Sequence, residues 1–109
     1  MKMFQDAHLE VKKFFSGSFC TNPYEAGWAD EAIFFILVEK QLGEPAMTAR
    51  VQLSQDGVHF TDDGSSPVTI SGIGQHFIKV QPNFGNYLRL AVKIEGGEMF
   101  LNIHIACKG

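Results

Sequence analysis

Nowhere do apolar residues recur at the three- and four-residue spacing of an amphipathic helix, so neither a helical nor an α/β domain is expected. Long hydrophobic runs are missing too. The longest series of large apolar residues, Ile33 to Val38, falls far short of the ~20 residues a spanning helix needs, so no membrane span is expected. Basic residues are few: nine Lys and Arg stand against twelve Asp and Glu, for a formal charge of −3. That balance argues against nucleic acid as a partner, because phosphate binding draws on clustered cations. The basic pair Lys12-Lys13 reads as a solvated strand face. Asp6, His8, Glu10, Lys12 and Lys13 interrupt the first twenty residues, which leaves no signal-type hydrophobic region there and points to an intracellular product at synthesis.

Cysteine is scarce as well. Cys20 and Cys107 lie near opposite ends and form no CxxC set, so free thiols are expected, with a disulfide between them as the alternative. The histidines His8, His59, His76 and His104 stand singly, without a partner at metal-ligand spacing. Only a set assembled from distant residues could hold a metal. His104 and Cys107 are three apart in a strand pattern and point to opposite faces, which excludes a nucleophile–base pair. Asp56, Asp62 and Asp63 lack the alternating oxygen ligands of an EF-hand loop and read as turn residues. Ser71-Gly72-Ile73-Gly74 has neither the lysine nor the following helix of a phosphate loop, and Ser16-Gly17-Ser18 is no nucleophile elbow. No catalytic residue and no cofactor is expected, and the chain is read as a non-enzyme.

What the sequence does hold is alternation. Leu88, Leu90, Val92 and Ile94 alternate with Tyr87, Arg89, Ala91 and Lys93; Met99, Leu101, Ile103, Ile105 and Cys107 alternate with Phe100, Asn102 and His104. A period of two marks half-buried strands, and the intervening Gly96-Gly97 predicts an antiparallel hairpin. Met47, Ala49, Val51 and Leu53 give another strand, ending at Asp56-Gly57, with Val58 to Phe60 expected as its return. Further short strands are expected over Val68 to Ser71 and Gln75 to Gln81. Ala7 to Phe15 is strand-like, with Leu9 and Val11 alternating until Lys13 breaks the pattern and suggests a bulge or an edge. Ser16 to Asp30 reads as the longest irregular stretch, with Asn22-Pro23 able to open a helical turn. The 109 residues are thus expected to form one all-β domain, 1–109, an antiparallel β-sandwich or jelly roll of about 7–8 strands.

Two strings carry a family likeness. Val51-Gln52-Leu53-Ser54-Gln55-Asp56-Gly57-Val58-His59-Phe60 and Tyr87-Leu88-Arg89-Leu90, with the strand after it, resemble segments of discoidin domains, the coagulation factor V/VIII C-type jelly rolls. The resemblance spans about half the chain and implies a jelly-roll fold; it carries no ligand-binding loop across.

Two functional expectations remain. Ten phenylalanines and the doubly apolar segment Phe34-Phe35-Ile36-Leu37 suggest an interface: one face of that strand must fill the core, and the other meets water or a partner. This predicts a structural subunit that self-associates or packs on a larger complex, such as a virion- or shell-like particle. The alternative is a carbohydrate-binding module using Phe19, Tyr24 and Trp28, whose rings would stack on sugar faces beside Asn22, Glu25 and Asp30. The competing role for those aromatics is to fold back and plug the end of the sandwich.

Overall fold

The structure, a computed structural model, describes Phe4–Gly109, apart from the side chains of Phe4 and Val11. The inward position expected for Val11 therefore lies outside the described residues. Among the described residues, seven strands form one antiparallel sheet: β1 (Phe4–Cys20), β2 (Tyr24–Glu25), β3 (Glu31–Ser54), β4 (Thr61–Asp62), β5 (Val68–Ser71), β6 (Gly74–Lys79) and β7 (Tyr87–Lys108). The all-β, antiparallel architecture read from the alternation is the one the chain adopts.

β7 occupies the middle, antiparallel to β1 on one side and to β3 on the other. The free side of β3 is covered in pieces: β6 pairs with residues 33–38, β5 with residues 46–49, and β4 with Gln52 and Leu53. β2 continues the β1 side of β7 through Tyr24 and Leu88.

β3 and β7 pair over nearly their whole length, but both change direction midway. Gly43 lies opposite Gly97 and Ala46 opposite Glu95, so β3 takes three steps there against two on β7. Gly43 (φ +76°) and Gly96 (φ +88°) adopt the left-handed backbone that this corner requires. Across the corner the buried positions change from even to odd numbers in each strand. In β3, Phe34, Ile36 and Val38 give way to Met47, Ala49 and Val51; in β7, Leu88 to Ile94 give way to Met99 to Cys107. The sheet thus curls over itself, and both halves deliver their apolar faces to a single core cluster. The thinnest dimension, 20 Å, is what two sheets ~10 Å apart need once outward side chains are added.

Four local expectations are corrected. Tyr87 to Cys107 is not a hairpin: its two alternating stretches are one strand bent at Gly96-Gly97, and both pair with β1 and β3 instead of with each other. A glycine pair between strands permits a corner as readily as a turn. Ser16 to Asp30 is not one long loop, because β1 runs on through Phe19 to Cys20 and β2 follows. Asn22-Pro23 opens no helical turn; the Asn22 side chain instead donates to the Leu9 carbonyl at 3.2 Å. The return strand after Asp56-Gly57 is Thr61–Asp62, not Val58 to Phe60. Asp56 and Gly57 donate their backbone N–H groups to Ser54 Oγ, while Val58 and His59 donate theirs to Asp56 Oδ1, so residues 56–59 are held in a side-chain-capped loop.

β1 forms an edge of the sheet and carries three register shifts, near Leu9, between Glu10 and Lys13, and near Ser16. The irregularity suggested by Lys13 is there. Where β1 ends, Thr21 takes over its role: its N–H donates to the Leu90 carbonyl, and its buried hydroxyl accepts from the Leu90 N–H, each at 2.9 Å.

A candidate self-association surface

Alternation within each strand decides which side chains leave the core. With Phe34, Ile36 and Val38 fully buried, Ile33, Phe35 and Leu37 point to the outer face, where each is half-buried. Of the four residues singled out in the sequence, Phe34 and Ile36 therefore belong to the core, and Phe35 and Leu37 to the surface.

Register then assembles rows across the neighbouring strands, because directly opposite residues share a face. Phe35 lies opposite His104 of β7 and Phe77 of β6, and His104 lies opposite His8 of β1. The result is a ribbon of four rings across four strands. Phe35 stacks on His104 with ring centroids 5.2 Å apart, and His8 tilts against His104 at 5.4 Å. Phe77 ends the ribbon and is 59% exposed. One row along, Asp6, Ala106, Ile33 and Lys79 follow the same strand order. On the other side of the ribbon, Phe14 meets Phe100 edge-on at 5.1 Å, and Lys40 Nζ lies over the Phe100 ring at 5.4 Å.

Polar contacts on this face are sparse. His8 Nδ1 lies 3.2 Å from Asn102 Oδ1, and His104 Nε2 is 4.0 Å from Asp6 Oδ1, too long for a hydrogen bond. His104 Nδ1 is buried without a hydrogen-bond partner. A groove of about 550 Å³ opens beside the ribbon, lined by Ile33, Phe35, Pro82 and Ala106 and rimmed by Asp6, Glu31, Lys79 and Lys108.

The aromatic residues considered for sugar binding do not converge. Phe19 stands on β1 and stacks on Phe15 at 4.6 Å; Tyr24 is on β2; both, with Trp28, pack against the core. Burial, reinforced by Cys107 once it ionises and by the carboxylates of Asp6 and Glu25, pushes the Tyr24 phenol above its usual range. Trp28 borders a polar groove of about 380 Å³ with Glu25, Gln55, Asp56, Asn86 and Tyr87, but neither Phe19 nor Tyr24 reaches it.

Cys20 is exposed on β1 and Cys107 is buried on β7; both are free thiols. Burial pushes the Cys107 thiol up to about 11. Among the described residues, no three His, Cys, Asp or Glu side chains are grouped to hold a metal ion.

Sequence reasoning found Phe35 and Leu37 but not His8, Asp6, Phe77 or Lys79. Each lay on the outward phase of its own strand. What brings them together is pairing between distant segments, which no single segment announces.

No family model matches this chain, and no curated protein matches it. Among solved structures, one described as "Crystal structure of PirA" matches 97% of this chain and 93% of that one, at 10% identity and a TM-score of 0.48. Another, described by the statement that "Bacillus endospore appendages form a novel family of disulfide-linked pili", matches 99% of this chain and 88% of that one, at 8% identity and a TM-score of 0.49. Likenesses this distant say nothing about what the chain does.

Proposed function

We propose that this domain is a non-catalytic structural subunit that packs against copies of itself through the outer face of residues 31–43 and their neighbours. The carrying observation is the exposed aromatic ribbon. Phe77 stands 59% exposed beside Phe35, with Ile33 and Leu37 flanking it on the central strand β3. Single exposed apolar residues are ordinary on a protein surface, but a contiguous apolar patch, here Ile33, Phe35 and Leu37 on β3 with Phe77 on β6, is a mark of an interface. Aromatic rings also give large contact area for little conformational entropy, which suits them to association.

Light scattering on the eluting protein tests the reading. The wild-type chain is expected to run well above its 12.1 kDa subunit mass. Phe77→Asp, which places a carboxylate where the partner must pack, is expected to run as a folded monomer with an unchanged circular-dichroism spectrum. An unpaired carboxylate buried in an interface costs about 3–5 kcal/mol, enough to raise a dissociation constant by roughly two to four orders of magnitude. A wild-type protein that stays monomeric at high concentration overturns the proposal.

A further inference from the structure

The outer face is patterned as well as apolar. Along the rows through Glu31, Ile33, Phe35 and Lys40, what stands on the β1–β7 side differs in charge or ring type from what stands on the β3–β6 side, whereas the row through Leu37 sets Asn102 and Gln75 on either side of it. The row through Ile33 begins with Asp6 on β1 and ends with Lys79 on β6, with only Ala106 and Ile33 between them. One row outward, Lys108 of β7 faces Glu31 of β3. The aromatic ribbon has imidazoles on the β1–β7 side and phenyl rings on the β3–β6 side, and Phe100 of β7 faces Lys40 of β3.

Resting on the self-association reading above, we infer that two copies pack face to face about a two-fold axis parallel to the strands and lying between β7 and β3. This operation reverses each row against its copy. Asp6 then meets Lys79 of the second copy, and Lys79 meets its Asp6. His104 lies over the second copy's Phe35, and His8 over its Phe77. No row sets like charge against like charge, which is the self-complementarity a two-fold interface demands. A two-fold axis perpendicular to the strands would instead lay different rows on one another and lose these matches.

Neither charge is held by a hydrogen bond among the described residues, although His104 lies 4.0 Å from Asp6. Asp6 is half-exposed and has no hydrogen bond to His104, and among the described residues Lys79 has no ion-pair partner. The size fits a small interface. Three strands over about nine residues and β6 over its six, at about 4.8 Å between strands and 3.3 Å per residue, give a footprint of roughly 500 Å², below the ~800 Å² of accessible surface each partner buries in a standard interface but in the range of a small one.

The test swaps the charges. Asp6→Lys alone sets Lys against Lys across the interface, and Lys79→Asp alone sets Asp against Asp. Each variant is expected to dimerise at least tenfold more weakly than wild type at low salt. Mixing the two restores both pairs, so the mixture is expected to form a heterodimer that neither variant matches alone. In a second measurement, Asp6→Cys mixed with Lys79→Cys in a Cys20→Ser background is expected to be joined between chains by a short bis-maleimide linker at positions 6 and 79, read by mass spectrometry, because facing sheets ~10 Å apart are too far for a direct disulfide. Both positions are surface sites, and circular dichroism confirms folding. A mixture that associates no better than either variant, together with no 6–79 cross-link, overturns this geometry. If wild type associates in that experiment, self-association itself stands; if wild type is a monomer, both fall.

Discussion

A β-carbon placed on Gly97 would run into the carbonyl oxygen of Leu42, at the corner where β3 and β7 fold over together. The corner therefore rests on a contact that only glycine allows, and it joins the two halves of the core.

Gly97→Ala should accordingly destabilise the fold by about 1–3 kcal/mol, as overpacking against a backbone atom does. Gly17→Ala is the control: Gly17 has φ +68° but open space around it, so only the backbone strain of about 1–2 kcal/mol applies. Urea unfolding of both variants checks the order, with Gly97→Ala expected to unfold at lower urea.

Neighbouring phenylalanines should behave differently. Phe34 is fully buried, so Phe34→Ala is expected to cost about 3–5 kcal/mol. Phe35 is half-buried on the outer face, and Phe35→Ala should cost about 1–2 kcal/mol in the isolated subunit. Equal losses would mean that the inward and outward phases of β3 are misassigned.

The hydroxyl of Thr21 stands in for a missing strand by accepting the Leu90 N–H. Thr21→Val keeps the shape and leaves that buried N–H unpaired, at an expected cost of about 1–3 kcal/mol. Thr21→Ser retains the acceptor and should recover most of the loss in the same unfolding assay.

Alternation located strand-forming stretches within β1, β3, β5, β6 and β7 and set Phe34 and Phe35 on opposite faces, because side-chain direction in a strand is a local property; it left open which of the two faces inward, and it divided β3 and β7 into separate strands. Pairing is not local. Nothing near Gly96-Gly97 distinguishes a turn from a corner, since the deciding fact is that β3 bends beside it. Val58 to Phe60 alternates like a strand, yet Ser54 and Asp56 claim its backbone donors first. His8 and His104 meet only because β1 and β7 are paired in one register, and that register rests on bulges no propensity scale locates.

Asp56 gives a pH dependence with a definite sign. The His59 imidazole, then the backbone N–H groups of His59 and Val58 and the Ser54 hydroxyl, hold its carboxyl well below the usual carboxylate range. A value lowered by folding favours the folded state at every pH above the ordinary value of 3.8, and that advantage is lost as pH falls below it. Unfolding midpoints measured from pH 7 down to pH 2 should therefore drop for wild type below about pH 4. Asp56→Asn should start lower at neutral pH and fall less steeply, and a parallel decline in the two proteins would remove Asp56 from the account.

The central position of β7 has a consequence for how the chain folds. β1 and β3 are joined by residues 21–30, which hold only the two-residue β2, yet the sheet order keeps them apart, with β7 between them. Pairings such as Gln5 with Cys107 and Glu31 with Lys108 close long stretches of chain, so loop entropy must be lost before most of the ladder forms, and folding should be slow for a domain of this size. Until β7 docks, the nearest long strand that β1 can meet is β3, in a pairing the native sheet does not contain. The register shifts along β1 make it a poor match for a regular partner, so the irregularities of that edge also discourage the mispairing that would trap the chain.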